Sequence, residues 1–307
     1  MTVDGALLLD KPLGLTSNAA LQKAKRLFGA EKAGHAGTLD PLASGLLMVL
    51  FGEATKFAGP LLDADKEYLA TLTLGARTTT GDAEGAVVQA RQVSFSEAEL
   101  AAVLERFRGE IEQVPPMHSA LKHQGTPLYR LARRGEEVVR APRRVRISVL
   151  ELTALEGTTL RLRVVCTKGT YIRVLAEDIG EALGCGAHLG GLRRTASGRF
   201  RIEQAATLEA LAEPAVRQRR LVALPALLED LPHAQLGAAE ETRLRQGQTL
   251  EISGLQPGLC AVVRPDGAVI GLGSADGQGG LKPLRLTSGL TQTAEKHLKS
   301  APHIERE

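Results

Sequence analysis

The residues whose types and spacing could do chemistry stand in one stretch, Gly34-His35-Ala36-Gly37-Thr38-Leu39-Asp40-Pro41-Leu42-Ala43-Ser44-Gly45. It sets one imidazole and one carboxylate between glycines, and the apolar run Leu46 to Phe51 follows at once. Pro41 keeps Leu39-Asp40 out of a plain helical conformation. Such a loop can hold Asp40 at a fixed place facing a cleft, where a carboxylate can attack carbon and later leave. The plainer alternative is that Asp40 closes a turn, since Asp-Pro is a common turn former. A nucleophilic Asp40 must be ionised; burial in an apolar pocket opposes that and a neighbouring guanidinium favours it. Arg173 is the candidate partner, because Arg stays charged and grips a carboxylate with two hydrogen bonds. Read alone, Arg173 could equally bind phosphate from a strand end. Tyr68 offers an aromatic face and a phenol able to relay a proton, or it is a strand tyrosine half in the core.

The composition allows this chemistry a soluble frame. The chain has 307 residues, which suits one large domain plus a small one. It is 43% hydrophobic and 24% charged but only 3% aromatic, with no Trp, so the core must rest on Leu, Val, Ile and Ala. No apolar run is long enough to span a bilayer as a helix, and Met1-Thr2-Val3-Asp4-Gly5 lacks the layout of a signal peptide. Cys166, Cys185 and Cys260 are odd in number and far apart. They suggest neither a metal site nor a disulfide framework, and a reducing, cytoplasmic setting is expected. No metal cluster and no nucleotide-binding glycine fingerprint appear, so neither metal nor cofactor is expected.

The net charge is +3, unevenly spread. Residues 106–146 carry ten Lys/Arg against four acids, and residues 161–201 carry eight against three, leaving −8 for the rest. Two basic blocks in a nearly neutral chain suit a polyanion on one face; solvated helix faces and strand edges are the alternative.

The elements follow from hydrophobic spacing. Gly5 to Leu9 reads as a buried strand, with Asp10-Lys11-Pro12-Leu13-Gly14 turning out of it. Thr16 or Ser17 caps a helix whose Ala20, Leu21, Ala24, Leu27 and Phe28 share one face and whose stop is Gly29. Leu46–Phe51 reads as a central strand, residues 53–62 as a short helix, and Glu67–Leu74 as an alternating strand. A polar, turn-rich stretch from Gly75 to Gly85 leads to a partner strand at Ala86–Val88. Ser96 and Glu99 form a capping box for a helix from Ala98 to Phe107. Pro115-Pro116, Gly125-Thr126-Pro127 and Arg133-Arg134-Gly135 break up residues 109–144, a long, irregular, basic insertion of the kind that is more often functional than accidental. Strands at Val145–Leu152 and Leu160–Cys166, a helix of Leu175, Ile179 and Leu183 ended by Gly184, a Gly-rich return over Cys185–Arg194 and a strand at Arg199–Ile202 complete the main unit. Short turns between adjacent strands point to an α+β domain with a mixed, largely antiparallel sheet flanked by helices. Glu213–Arg220 reads as a linker. From about Leu231 short strands at Leu250–Ile252, Cys260–Val263, Val269–Leu272 and Leu284–Leu286 mark a small β domain, and 291–307 is expected to be a disordered tail.

Seven blocks in order carry a resemblance: Leu9-Asp10-Lys11-Pro12 with Thr16-Ser17-Asn18, Gly34 to Gly45, Lys66-Glu67-Tyr68, Thr78-Thr79-Thr80-Gly81-Asp82, Ser119-Ala120-Leu121-Lys122, Lys168-Gly169-Thr170-Tyr171-Ile172-Arg173 and Leu192-Arg193-Arg194. Together they resemble the TruB-type pseudouridine synthases, the bacterial tRNA pseudouridine(55) synthase family, over most of residues 4–205. The resemblance implies a pseudouridine synthase catalytic domain over 1–228, with 109–144 gripping an RNA stem-loop, and a small PUA-like β domain over 229–290. It implies isomerisation of uridine 55 in the tRNA T-loop: the N-glycosidic bond breaks, uracil rotates and C5 is joined to the ribose. Asp40 is then the nucleophile and Arg173 its partner. Tyr68 stacks on uracil and relays the C5 proton, Tyr171 and Leu192 line the pocket, and Lys11 lies near the cleft. His35 suits the space vacated by the flipped base. Lys122, Arg130, Arg133, Arg134, Arg143 and Arg193, from the basic blocks, are the expected RNA contacts.

The partner implied is the T stem-loop of tRNA, bound by a monomer away from any membrane. Two departures stand out: His118 where the family usually has Tyr, and Thr79 where it commonly has an acid. Competing readings are a guide-RNA-dependent subunit like dyskerin, against which the compact ends and intact insertion speak, an RNA-binding or tRNA-folding protein without catalysis, and a glycosidase-like hydrolase. Without RNA the 109–144 segment is expected to be mobile. Limited proteolysis should cut it first and RNA should protect it; equal cutting in both states would overturn this expectation.

Overall fold

The computed structural model describes residues 3–289, so the tail expected over 291–307 lies outside the described residues. In chain order the elements are β1 (Gly5–Lys11), α1 (Ser17–Phe28), β2 (Ala33–Ala36), β3 (Ala43–Phe51), α2 (Ala58–Asp63), β4 (Lys66–Leu74), β5 (Ala76–Thr78), β6 (Val87–Ala90), α3 (Glu97–Arg106), β7 (Gly109–Gln113), β8 (Lys122–His123), β9 (Thr126–Pro127) and α4 (Leu128–Ala132). They continue with β10 (Arg143–Glu156), β11 (Thr159–Cys166), α5 (Ile172–Ala182), β12 (Ala187–Ser197), β13 (Phe200–Arg201), α6 (Pro214–Arg219), β14 (Leu221–Val222), α7 (Leu224–Leu227), β15 (His233–Gln235), α8 (Ala238–Arg245), β16 (Leu250–Glu251), β17 (Gly258–Val263), β18 (Val269–Ala275) and β19 (Gly280–Leu286).

Ten strands form one sheet in the order β14-β1-β3-β12-β4-β11-β10-β7, with β2 added to β3 and β13 to β12. Every pairing is antiparallel except β3 with β12. Strand alternation sends the odd-numbered apolar residues of β1 and β3 and the even-numbered ones of β4 to one face of the sheet, the face that the helices cover. Leu7, Leu9, Leu47, Val49 and Phe51 meet Ala20, Leu21 and Ala24 of α1, and Ala70, Leu72 and Leu74 meet Leu175 and Ile179 of α5 and Leu100 of α3. Local signals set the helix ends. Thr16 Oγ1 accepts from Ala19 N at 3.0 Å, Gly29 turns left-handed at φ 59°, and the Ser96–Glu99 capping box is complete.

Several boundaries differ from the sequence expectation. The supposed Gly-rich return is β12, eleven residues long and central in the sheet. Its glycines mark crowding inside a strand. A Cβ on Gly190 would lie 2.8 Å from Thr73 Oγ1, and the ladder slips between Leu189 and Gly191. The strand expected at Arg199–Ile202 shrinks to β13, and Ile202–Gln204 is a 3-10 turn. The irregular stretch is shorter than 109–144, because β7 is the sheet's edge strand and pairs Gln113 with Arg143 and Glu112 with Arg144. The excursion from the sheet is therefore 114–142. Val87-Val88 belong to a separate two-stranded ribbon with β5. The presumed linker is α6, opened by Pro214 and followed by β14, which pairs with β1.

The small β unit is a five-stranded sheet, β15-β17-β18-β19-β16. Strand β15 and helix α8 escaped the sequence reading; α8 buries only Glu241 and Leu244, too little for an amphipathic stripe. Alternation along β17 sends Cys260 and Val262 into this unit's own core and Ala261 and Val263 against Ala6, Leu8, Met48 and Leu50 of the large sheet. Glu53 reinforces the junction, accepting from Ser288 N at 2.7 Å and Ser288 Oγ at 2.8 Å. Among the described residues no helix is long and apolar enough to cross a membrane.

Lys66 shows how a buried cation is accommodated. Its Nζ donates to Leu61 O, Leu62 O and Ala64 O at the C-terminal end of α2, where carbonyls lack partners within the helix. Burial is the main cause that pulls this lysine down to about 8. An unfolded lysine keeps its proton to about pH 10.4, so between those values the unfolded chain binds more protons and Lys66 makes stability rise with pH. Relative to Lys66→Met, the native protein should gain stability from pH 8 to 10 in urea titrations; parallel profiles would refute this. Packing gives a second expectation. A Cβ on Gly180 would lie 2.1 Å from Ala187 N, whereas Gly59 in α2 has open space. Gly180→Ala should cost about 1–3 kcal/mol, and Gly59→Ala should be neutral or stabilising by about 0.4–1 kcal/mol, measured as urea midpoints.

Candidate active site

Sheet register builds the floor of the site. Lys11 is opposite Gly45, Gly45 opposite Arg194 and Arg194 opposite Tyr68, so one row crosses β1, β3, β12 and β4. Residues directly opposite one another project from the same face, here the face covered by α1 and α5. Gly45 is needed in that row: it holds φ 97°, and a Cβ would lie 2.3 Å from Arg194 O. Arg194, buried to 1% exposure, uses Nε to donate to Leu46 O at 2.6 Å and Nη2 to donate to Gly37 O at 3.0 Å. It thereby joins the start of β3 to the loop carrying Asp40.

The rest of that loop is pinned from α1. Ser17 Oγ donates to Leu39 O at 2.9 Å and accepts from Leu39 N at 2.7 Å, while Thr16 alone caps the helix. Gly14 N donates to Pro41 O and Ala43 N to Asp40 O. Asp40 is left with its side chain 48% exposed and Oδ2 3.0 Å from Arg173 Nη2. Arg173 stands in the first turn of α5, not on a strand end, and is buried. Nη2 also donates to His118 O at 2.6 Å, and Nη1 donates to Thr80 O at 3.3 Å and lies 3.6 Å from Asp82 Oδ2. The His118 departure leaves this bond intact, since a backbone carbonyl makes it. Thr79 exchanges two hydrogen bonds with Ala86 and closes the β5–β6 turn.

Tyr68 and Leu192 lie beside this pair, partly buried where the two cores under the sheet meet. Burial pushes the Tyr68 phenol above its ordinary range, with the Arg194 guanidinium opposing, so the phenol keeps its proton near neutral pH. Burial also raises the Tyr171 phenol. His35, on β2, has a buried Nδ1 without a partner, and burial with the charge of Arg194 lowers its pKa and favours the neutral ring. Lys11 is fully buried, no surface lysine, with Nζ donating to Pro12 O at 2.9 Å and Leu15 O at 2.6 Å; burial brings it down to about 8, while the charge of Asp40 acts to raise it.

The expected RNA contacts divide. Lys122, Arg130, Arg133 and Arg134 are exposed on the 114–142 excursion, with Arg133 stacked over Tyr129, and Arg143 is exposed where β10 begins. Arg193 points to the face opposite Arg194, where Asp10 holds it bidentately at 2.8 and 3.0 Å. Sequence reasoning missed three residues: Arg194, Asp82 and Lys66. All lie in the quoted blocks. Strand alternation would have separated Arg194 from Arg193, but only once β12 was known to be a strand.

The architecture and these residues can be set against known proteins. Three family models tile the chain: the TruB family pseudouridylate synthase N-terminal domain over residues 25–172, the tRNA pseudouridylate synthase B C-terminal domain over 173–235, and the pseudouridine synthase II TruB C-terminal model over 232–287. A tRNA pseudouridine synthase B of Thiobacillus denitrificans is 54% identical over 286 residues, covering 92% of this chain and 96% of the relative. That of Burkholderia mallei is 57% identical over 268 residues, 87% of each. Among solved structures, a chain of a Cbf5-Nop10-Gar1 complex superposes with a TM-score of 0.73 at 28% identity, over 92% of this chain and 84% of that one. With the family models matching residues 25–287 and relatives more than half identical over most of their length, the chain belongs to the TruB family of pseudouridylate synthases.

Proposed function

We propose that the protein is a tRNA pseudouridine synthase that isomerises uridine 55 of the T-loop, with Asp40 as its nucleophile. The observation that carries the reading is the half-exposed Asp40 carboxylate held 3.0 Å from the buried Arg173 guanidinium, beside the row that ends in Tyr68. Arg173 engages Oδ2 and leaves Oδ1 for a carbon of the nucleotide, C1′ of the ribose or C6 of the uracil. The C1′–N1 bond breaks, the uracil turns between Tyr68, Leu192 and Tyr171, C5 bonds to C1′, the bond from Asp40 to carbon breaks to return the carboxylate, and N1 ends with a proton. The C5 proton leaves through the Tyr68 phenol. Because that phenol is held protonated, it takes the C5 proton as it hands its own to water, so the C5 hydrogen ends in solvent. The neutral ring of His35 fills the space left by the flipped base, which helps offset an unstacking cost of a few kcal/mol.

Lys122, Arg130, Arg133, Arg134 and Arg143 meet the phosphates of the stem-loop, so binding weakens as salt rises. In this reading the catalytic domain spans 1–228 and the PUA-like unit 229–290, and the enzyme acts as a cytoplasmic monomer. Support for that compartment comes from Cys166, Cys185 and Cys260, all buried and unpaired with one another.

The test is tritium release from a tRNA transcript labelled at uridine C5, with no guide RNA, metal or cofactor added. The native protein should release tritium. Asp40→Asn should be slower by at least about 10³-fold, as expected for loss of a reacting group. Tyr68→Phe, which keeps the ring and loses the hydroxyl, should bind tRNA normally and react about 10²- to 10⁴-fold more slowly. Bound tRNA without release would leave an RNA-binding protein, and free uracil would mean hydrolysis.

A further inference from the structure

Gln113 is the last residue of β7 and is buried to 2% exposure. Its side chain reaches across to the start of α5. Oε1 accepts from Tyr171 N at 3.0 Å and Nε2 donates to Tyr171 O at 3.3 Å. The carboxamide thus satisfies one backbone residue as a neighbouring strand would. Tyr171 is the N-cap of α5, extended at φ −101° and ψ 107°, and no side chain of its own caps the helix. Such helix starts leave amide hydrogens without partners, and Gln113 takes one of them from outside.

Two residues further on, Arg173 carries the bond to Asp40. On the other side of Gln113 the chain leaves the sheet for the 114–142 excursion, and the root of that excursion returns to the same guanidinium through His118 O. The helix of the excursion hangs from this root, with Tyr129 N donating to Ser119 O at 3.1 Å and Leu128 N to Leu121 O at 2.7 Å. One buried amide therefore fixes the distance between the edge strand, the root of the basic excursion and the first turn of α5.

We propose that Gln113 is a positioning residue for the reaction: by clamping the backbone of Tyr171 it holds Arg173 in register with Asp40 and with the His118 carbonyl, so that the excursion and the catalytic ion pair share one anchor. The inference rests on the function proposed above. Gln113 touches neither substrate nor reacting atoms. Removal of its side chain frees the start of α5, while the backbone of Gln113, paired with Arg143, still roots the excursion in the sheet and keeps the exposed basic residues in place.

The experiment uses full-length Gln113→Ala and Gln113→Glu. Single-turnover tritium release is measured beside tRNA affinity by filter binding, and thermal melts check the fold. Displacing a catalytic group by about 1 Å costs on the order of 10²-fold in rate, so Gln113→Ala should react about 10- to 100-fold more slowly while its Kd stays within about 3-fold of native. Gln113→Glu has the same shape, keeps the acceptor for Tyr171 N and loses the donor to Tyr171 O. It should also be slowed, by less than Gln113→Ala. Native rate in Gln113→Glu would mean that the side chain only fills space, and a Kd rising in step with the lost rate would make it a binding residue; either overturns the proposal. If Gln113→Ala fails to melt cooperatively, the Gln113→Glu rate decides alone. Absence of release by the native protein would sink the proposed function and this inference together, whereas native release with unimpaired variants would sink this inference only.

Discussion

The structure depends on placing an arginine inside a β-sheet. Arg194 stands between β3 and β4 with almost no exposure, and among the described residues no carboxylate lies within 4.0 Å of its nitrogens. A buried charge without hydrogen bonds would be costly. Two carbonyls satisfy this one, Leu46 O and Gly37 O, and that requirement shapes what surrounds it. The loop before Asp40 must curve in so that Gly37 can accept, β3 must run parallel to β12 so that Leu46 is in reach, and position 45 must lack a side chain. The loop carrying Asp40 is thus positioned by the solvation of a buried cation.

Lys11 and Lys66 repeat the device. Each is buried, each gives its ammonium protons to backbone carbonyls, and each is drawn down to about 8 chiefly by burial. The charge of Arg194 lowers both further. Three buried cations in one region of the sheet make it positive, which suits a polyanionic ligand, and Arg194 acts on His35 and Tyr68 as well. Asp40 and Asp82 are the carboxylates that answer this field near the cleft, and Arg173 bridges them. The bridge gives Asp40 a fixed direction although the residue is half exposed and sits on a loop.

The large sheet also accounts for the company it keeps. Its α1 and α5 face is closed by helices, and its β1–β3 corner on the other face is covered by Ala261, Val263, Val269 and Leu272 of the small β unit. A domain of that size has little core of its own. Here its strand β17 is apolar on both faces because both are covered, one by its own core and one by the larger sheet. The presumed linker over Glu213–Arg220 holds α6, and β14 directly after it pairs with β1 of the larger sheet, so the crossing point comes later than that linker.

The sequence by itself determined the elements whose signals are local. The N-cap at Thr16, the left-handed Gly29, the Ser96–Glu99 box and the alternation of β4 all depend on residues within a few positions of one another, and each is legible from the order of side chains alone. So are the residues proposed for the site: the Asp40 loop, Tyr68, Arg173, Tyr171 and Leu192 stand in motifs that can be quoted, and folding pairs Asp40 with Arg173. What only the tertiary structure decided depends on partners far along the chain. β12 is unreadable in sequence because Gly190 is answered by Thr73 across the sheet and not by any neighbour along the chain. Arg194 cannot be told from Arg193 until that strand exists, and Lys11 cannot be known as buried until β3 lies beside it. Gln113 looks like the beginning of an irregular insertion because its hydrogen-bond partner, Tyr171, is 58 residues away. Local chemistry fixes caps and periodicity; burial and register are properties of the assembled sheet, and they decided which charges pair with one another and which lie buried on backbone carbonyls.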